Sequence, residues 1–299
     1  MRQQHSVCSF IGSGSWVILS PIEQSIKDKI EAVGTPLKDW NVQINYGIKT
    51  GCNEAFIIST EKRKEILANC HSVEERERTA DLIRPILRGR DIKRYGYNWA
   101  GLWLINTHNG IKGRIPRIDI EDYPAVKAHL DKYWDKISKR SDKGDTPYNL
   151  RNCAYLEDFN KPKIVYMEIQ TDNPKEGYPF PCFSFDKTNI IVLNTAYILS
   201  SDTITPKYIL GILNSSLGKF LVKLYVTQLQ EKQFRMLAQY VNKMPIPVPT
   251  HNQEIQISNY VDLALNHQSN VEELIDKEVY DIFKLSQEEK DFIESMKNI

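Results

Sequence analysis

Short apolar runs along the chain predict a series of β-strands. In residues 6–19, apolar and polar positions alternate loosely and end in the apolar run 16–19. Two more strands are expected within residues 44–58, around a turn in which Gly47 and Gly51 permit backbone angles that other residues avoid. Further strand-like runs cover residues 102–105, 163–167, 179–183 and 190–193.

The first helix is predicted from its end signals. Ser20 is a suitable N-cap, Pro21 fits the first helical position, and Glu23 stands where a capping box requires it. The helix should run to about Val33 and stop at Gly34. Apolar positions at helical spacing predict an amphipathic helix over residues 123–140. A short charged helix is expected over residues 61–67 and another helix over residues 208–225.

A proline-rich segment divides the chain near residue 245. The three prolines within residues 244–249 exclude a helix there, because each lacks an amide donor and forces its predecessor into an extended conformation. Behind this boundary, apolar positions between Ile255 and Ile275 predict a long helix. Ser286 is a suitable N-cap for a last one.

The composition is that of an ordinary globular protein. The chain has 299 residues, of which 41% are hydrophobic and 26% charged, enough for one large domain or two modest ones. No run reaches the roughly 18 apolar residues of a membrane span, and no signal-peptide core follows the first residues. We therefore expect a cytoplasmic protein without a membrane partner. Its cysteines lack metal-site spacing and are expected to be reduced: Cys8, Cys52, Cys70, Cys153 and Cys182.

The net charge of +1 conceals an asymmetry. From residue 251 onward, four Lys face eleven Asp or Glu, a net charge of −7, whereas the first 250 residues carry 35 basic and 27 acidic residues, a net charge of +8. A basic body with an acidic helical tail is compatible with a polyanion on the body and a protein partner along the tail. Ordinary solvated surface charge explains the same numbers equally well.

The sequence contains few motifs that are typical of catalytic sites. The glycine cluster 11–15 is too short for the cofactor turn of an adenine methyltransferase, and the segment 172–175 lacks the second proline and the aromatic ring of its base-holding loop. A magnesium-dependent nuclease remains an alternative, with Asp119, Glu121 and Glu168 as its carboxylates. Polar residues that alternate along a half-buried strand more often face solvent. The sparse motifs favour a binding module.

Several motifs together resemble one family, the C-terminal specificity domain of TaqI-like and Eco57I-like methyltransferases and of fused type IIG restriction-modification enzymes. In order, they are residues 47–56 (GIKTGCNEAF), 86–95 (ILRGRDIKRY), 161–164 (KPKI), 211–215 (GILNS), 244–247 (MPIP) and 275–285 (IDKEVYDIFKL). The last three also resemble the specificity subunits of type I systems, in which a proline-rich step and a spacer helix follow a recognition lobe.

The resemblance implies a mixed α/β recognition lobe with a twisted mixed sheet, followed by C-terminal spacer helices. It divides the chain into a linking segment (residues 1–34), a DNA target-recognition domain (35–245) and a helical docking segment (246–299). It further implies that a separate domain binds S-adenosylmethionine and methylates adenine, and that another often cleaves with magnesium. This chain should then hold no cofactor or metal and carry out no reaction itself.

Three groups of residues are candidates for contact with duplex DNA. The basic span holds Arg84, Arg88, Arg90, Lys93 and Arg94 against Asp91 alone, and an internal Arg–Asp pair is the alternative. Lys49, Thr50 and Asn53 lie beside glycines that let backbone amides approach phosphate, unless they form a plain hairpin turn. The third group has side chains that match base edges, unless it is a solvated helix end: Gln228, Gln230, Lys232, Gln233 and Arg235.

The sequence thus predicts a DNA-reading module that places a target adenine for a separate methyltransferase domain. The acidic tail is expected to dock on that methyltransferase or on a second copy of the chain. A magnesium nuclease is the second hypothesis, and a protein-docking scaffold is the third, which a buried basic span would favour.

Overall fold

The computed structural model describes residues 19–173, 178–230 and 232–298. The strand predicted over residues 6–19 lies outside the described residues except for its last position. The helices within the described ranges are α1 (Pro21–Val33), α2 (Asn53–Phe56), α3 (Thr60–Ala68), α4 (Val73–Leu82), α5 (Pro124–Asp131), α6 (Trp134–Ile137), α7 (Pro206–Asn214), α8 (Ser216–Tyr225), α9 (Ala238–Val241), α10 (His251–Leu265), α11 (Val271–Ile282) and α12 (Gln287–Ser295).

The strands are short, and helices separate many of them. They are β1 (Gly34–Pro36), β2 (Val42–Tyr46), β3 (Ile57–Ser59), β4 (Ile83–Leu87), β5 (Ile92–Lys93), β6 (Gly96–Tyr97), β7 (Leu102–Ile105), β8 (Lys163–Met167), β9 (Ile169–Thr171), β10 (Phe183–Asp186), β11 (Ile191–Val192), β12 (Ala196–Ser201), β13 (Gln228–Gln230), β14 (Gln233–Arg235) and β15 (Pro245–Pro247).

The strands form a mixed α/β fold, as predicted. A central antiparallel sheet has the order β10-β8-β12-β2. A second sheet has the order β11-β4-β7-β3, in which β11 runs parallel to β4 and the other pairs are antiparallel. A third sheet, β13-β14-β9, consists of an antiparallel hairpin and the strand that continues the chain after β8.

The central sheet lies between two hydrophobic cores. Ile164 and Tyr166 of β8 belong to the core that is shared with helices α7, α8, α10 and α11, whereas Val165 between them belongs to the other core. On β12, Leu199 and Ile198 divide in the same way. Both faces of these strands are buried, which explains why their sequences are almost continuously apolar instead of alternating.

The end signals predicted for the first helix are confirmed in α1. Ser20 and Glu23 form the capping box, Pro21 occupies the first turn, and the helix ends at Val33. Gly34 stops it for a tertiary reason, because its backbone is extended (φ −88°) and not left-handed. A Cβ at Gly34 would lie 2.6 Å from the Cβ of Pro245, since β1 pairs with the proline-rich strand β15.

Three predicted helices are each divided in two. The expected helix 208–225 breaks at Ser215, whose extended backbone caps α8 through a 3.0 Å hydrogen bond from the Gly218 N–H to its Oγ. The amphipathic stretch 123–140 forms α5 and α6 with a turn between them. The long helix expected after residue 250 separates into α10 and α11, where Asn270 adopts a left-handed conformation (φ 62°).

Residues 44–58 do not form the expected pair of strands around a turn. Strand β2 belongs to the central sheet and β3 to the second sheet, and the two do not pair. The segment between them, including Gly47, crosses from one sheet to the other. A Cβ at Gly47 would lie 2.2 Å from the carbonyl oxygen of Val192, so a close backbone approach requires this glycine.

Candidate nucleic-acid interface

One turn, residues 192–196, contacts the segments that carry two of the three predicted groups, and it reaches the third group through Glu168, which pairs with Arg235. Its Asn194 N–H donates to the Ile48 carbonyl (3.0 Å), beside Lys49. Thr195 accepts from the Gly89 N–H through its Oγ1 (2.9 Å) and from the Glu168 N–H through its carbonyl (3.0 Å). The structure thus brings together segments that are far apart in sequence, such as those of Ile48 and Asn194.

The basic span contains both structural and exposed cations. Arg88 forms the internal pair with Asp91, at 2.7 Å from Nη2 to Oδ1, and the hydrogen bonds that it donates to Asp91 raise the pKa of Arg88. Arg90 is exposed and has no carboxylate partner among the residues that the structure describes. Lys93 is partly exposed, and its ammonium contacts the Arg90 carbonyl at 3.3 Å.

Arg94, which the sequence predicts as a DNA contact, is engaged within the fold. Its side chain is only 10% exposed and pairs with Glu272 on α11, 2.5 Å from Nη2 to Oε2. The guanidinium also donates to the carbonyls of Pro181 and Asn214. With these donors occupied, Arg94 joins the lobe to the C-terminal helices.

Arg84 is likewise bound within the lobe, where its guanidinium donates to the Asn160 side chain at 2.9 Å and to the Asn189 carbonyl. Burial lowers the pKa of Arg84.

Arg90 and Lys93 line a groove of about 420 Å³. Its opposite wall is formed by the start of β9 and the residues around it, and the lining comprises Gly89, Arg90, Lys93, Met167, Glu168, Ile169, Tyr178 and Thr195. A Cβ at Gly89 would lie 2.5 Å from the Thr195 carbonyl oxygen, so this glycine allows the basic span to lie directly against the turn.

The third group lies on a β-hairpin and not on a helix end. Strands β13 and β14 pair with each other, and β14 pairs with β9, so that Arg235 stands opposite Ile169. Gln228 and Gln230 are exposed, and Gln233 is partly exposed. We call β13 and β14 together the ribbon. Arg235 connects the ribbon to the groove, because its Nε lies 2.9 Å from Oε1 of Glu168.

The residues between β2 and α2 are held by a buried guanidinium that the sequence did not single out. Arg140 donates to the carbonyl oxygens of Thr50, Asp142, Pro147 and Asn149. Burial lowers its pKa to about 10. No short motif reveals this role, since Arg140 acts through backbone carbonyls that become neighbours only in the folded chain.

The three predicted DNA contacts of this segment differ in their exposure to solvent. Thr50, predicted as a DNA contact, is buried, and its hydroxyl donates to Asn53 Oδ1 at 2.5 Å. Asn53 is exposed at the first turn of α2. Lys49 is 44% exposed and lies 2.9 Å from Asp142, whose pKa it lowers through this hydrogen bond.

The family model of the TaqI-like C-terminal specificity domain matches residues 84–246, more than half of the chain. The chain belongs to this family. The matched range of this specificity domain contains the basic span, the groove and the ribbon, whereas Lys49, Thr50 and Asn53 precede it.

Two curated relatives are methyltransferases. The type II methyltransferase M.BstVI of Geobacillus stearothermophilus is 22% identical over 292 residues, which are 95% of this chain and 47% of that protein. The type II methyltransferase M.PaeR7I of Pseudomonas aeruginosa is 20% identical over 239 residues, 79% of this chain and 38% of that protein. The specificity-domain chain thus spans less than half the length of these relatives.

Two solved structures share the fold. The type IIL restriction-modification enzyme MmeI in complex with DNA superimposes with a TM-score of 0.59 at 18% identity, over 86% of this chain and 35% of that one. The type IIG restriction endonuclease BpuSI gives a TM-score of 0.50 at 12% identity, over 90% of this chain and 34% of that one.

The carboxylates of the nuclease hypothesis are engaged separately within the specificity domain. Asp119 accepts a hydrogen bond from the Glu121 N–H at 3.1 Å, Glu121 pairs with Lys127 at 2.5 Å, and Glu168 pairs with Arg235. In the described part of the chain, no group of three or more His, Cys, Asp or Glu side chains is placed to hold a metal ion. The same ranges contain no helix long and apolar enough to cross a membrane.

Proposed function

We propose that this chain reads the base sequence of duplex DNA for a restriction-modification enzyme. The observation that carries the proposal is the continuity of the ribbon with the groove, which places Arg235, Arg90 and Lys93 on one surface. The major groove of B-DNA admits a two-stranded β-ribbon. Paired donors and acceptors on Gln and Arg match the edges of adenine and guanine.

Within this surface the residues divide by role. Gln228, Gln230, Gln233 and Arg235 are the proposed base readers, because glutamine amides and guanidinium groups distinguish base pairs. Lys49, Asn53, Arg90 and Lys93 are proposed to contact phosphates, which fixes the register of the protein on the duplex. Lys232 lies in the turn of the ribbon, and we assign it to the residues that contact phosphates as well.

The rest of the enzyme is proposed to lie in parts of the protein beyond this chain. A methyltransferase domain there would bind S-adenosylmethionine and receive the adenine that the ribbon positions, and an associated endonuclease would bind magnesium. The division of the chain into a linking segment (1–34), a target-recognition domain (35–245) and a docking segment (246–299) is part of the same proposal. Such an enzyme acts on DNA in the cytoplasm.

The C-terminal helices α10 to α12 are proposed to dock on the methyltransferase part or on a second copy. Exposed apolar side chains on α10 and α11 (Ile255, Leu263 and Leu274) support this, together with the net charge of −7 from residue 251 onward. The chain covers less than half the length of its curated relatives, which is consistent with such a partner in the same polypeptide.

The test is selection of the purified chain against a pool of random duplex DNA at moderate salt. We expect a short enriched motif, and Arg235→Ala should relax the preference at one position by about 1–3 kcal/mol. Arg90→Ala should weaken binding to all sequences alike. No enriched motif, together with unchanged affinity in both variants, would refute the proposal. Magnesium-dependent cleavage abolished by Glu168→Ala would favour the nuclease instead.

A further inference from the structure

A basic turn projects from the second sheet outside the surface described so far. We call residues 109–117 the basic turn. The Ile111 N–H donates to the Ile115 carbonyl at 2.8 Å, and the Ile115 N–H donates back to the Ile111 carbonyl at 2.9 Å. Gly113 lies at the tip with φ 77°, and nothing stands within 4 Å of where its Cβ would be. The tip is therefore fixed by hydrogen bonds and open to solvent.

The charge of the basic turn has one sign. Lys112, Arg114 and Arg117 are exposed, and residues 108–118 include no Asp or Glu. Lys112 has no carboxylate partner within the described ranges of the chain. Because this segment contributes few side chains to either core, the three cations do not serve the packing of the fold.

The two arginines form ion pairs that are easily exchanged. Arg114 contacts Glu157 with side chains that are 61% and 47% exposed, and Arg117 lies 3.5 Å from Asp145 with both side chains exposed. Solvent-exposed pairs of this kind contribute only about 0–1 kcal/mol. A phosphate group can therefore replace either carboxylate at small cost.

A cleft of about 760 Å³ lies beside the basic turn. Besides the turn itself, its lining comprises Asp145, Asn152, Cys153 and Ala154. Amide groups and guanidinium groups around an open cleft suit the oxygens of a polyanion.

The basic turn is tied to the proposed DNA surface through one segment. Asn109 accepts from the Asp145 N–H at 2.9 Å and donates to the Asp145 carboxylate at 3.0 Å. In the same segment, Asp142 binds both Arg151 (3.3 Å) and Lys49 (2.9 Å). The basic turn and Lys49 are thus bound to the same short segment, residues 142–145.

We propose that the basic turn binds the phosphate backbone of the duplex beside the bases that the ribbon reads. This inference rests on the proposed function and extends the footprint by a second contact that is independent of sequence. Lys112, Arg114 and Arg117 would each neutralise one phosphate, which strengthens binding and fixes orientation without selecting bases.

The test is the salt dependence of duplex binding by the 299-residue chain. Each phosphate contact contributes about 0.9 to the slope of log affinity against log salt concentration. The double variant Lys112→Ala/Arg114→Ala should lower the slope by about 1.8 and weaken binding at least about tenfold at low salt, with the selected motif unchanged. The matched control is Lys27→Ala/Lys277→Ala, on α1 and α11, which should leave the slope unchanged.

A second pair of variants separates binding from folding. Glu157→Gln and Asp145→Asn release the two arginines and remove negative charge, so they should tighten DNA binding, whereas a purely structural ion pair predicts no gain. If the wild-type chain selects a motif but the double variant has an unchanged salt slope, this inference is overturned and the proposed function stands. Absence of DNA binding by the wild-type chain would overturn the proposed function and this inference with it.

Discussion

Arg94 of the basic span and Glu272 of α11 form an ion pair across 178 residues of sequence, with the guanidinium Nε 3.0 Å from Oε2 of the carboxylate. The pair connects the recognition segment to the C-terminal helices. Lys93, the preceding residue, lies in the groove on the outer surface. Adjacent residues of one basic run therefore have different tasks.

We expect Arg94→Ala to lower the free energy of unfolding by about 2–4 kcal/mol, because it leaves the carbonyls of Pro181 and Asn214 without their donor. Glu272→Gln should cost less than about 1 kcal/mol, since the Glu272 side chain is 52% exposed. Urea-induced unfolding of both variants measures the difference. Equal losses would contradict the central role of the guanidinium.

Gly47→Ala should strongly destabilise the fold. Its Cβ would lie 2.2 Å from the Val192 carbonyl oxygen, so β2 and the turn 192–196 would have to separate. We expect a loss of about 2–4 kcal/mol. Gly96→Ala is the matched control, because nothing stands within 4 Å of its Cβ position. A thermal melt of Gly47→Ala like that of Gly96→Ala would disprove the close approach.

Arg140→Lys should loosen the segment that carries Lys49. An ammonium group has three donors and cannot reach all four carbonyls that the guanidinium now binds, so buried acceptors lose their partners. We expect a loss of about 1–3 kcal/mol and faster amide hydrogen exchange in residues 47–51. Lys139→Ala, one residue earlier and exposed, should leave that exchange as in the wild type.

Glu168→Gln should increase affinity for duplex DNA. The substitution removes a negative charge from the groove and frees Arg235, whose Nε lies 2.9 Å from the Glu168 carboxylate. We expect a gain of a few fold in fluorescence anisotropy titrations, greater at low salt than at high salt because salt screens charges that are at least partly exposed. A weaker complex would indicate that the Glu168–Arg235 pair itself presents the ribbon correctly.

Glu289 should make stability depend on acid pH. Burial alone would raise its pKa, but hydrogen bonds from Lys29, the Ser286 N–H and Ser25 outweigh burial and lower it to about 2. Because the pKa of Glu289 is lower in the folded chain than in the unfolded chain, the ionised carboxylate stabilises the native state. This stabilisation is complete at pH values above about 4.5 and is lost as the pH falls towards 2.

The corresponding variant is Glu289→Gln, which should be about 1–3 kcal/mol less stable than the wild type at pH 7. The gap should narrow between pH 4.5 and 2, as urea unfolding at a series of pH values will determine. Glu288→Gln serves as the control, since this neighbour is exposed. A gap that does not depend on pH would contradict the assigned ionisation.

The family and much of the secondary structure were determined by the sequence alone. The end signals of α1 and the N-cap Ser286 are local, since each depends on residues within one turn of the helix. The motif 86–95 indicated the family because its glycine and charges are adjacent in the chain. The exclusion of helix at the proline-rich step is equally local, and that step forms β15.

Only the tertiary structure decided which polar and charged residues face outward. Thr50 is polar yet buried, and its carbonyl accepts from Arg140, which lies far along the chain. The Arg94 side chain is only 10% exposed, because Glu272 and the Pro181 carbonyl bind its guanidinium. The grouping of Arg90 with Arg235 depends on the pairing of β9 with β14, which no local pattern records. Local sequence fixes backbone preferences, whereas exposure and proximity arise from packing between segments far apart in the chain.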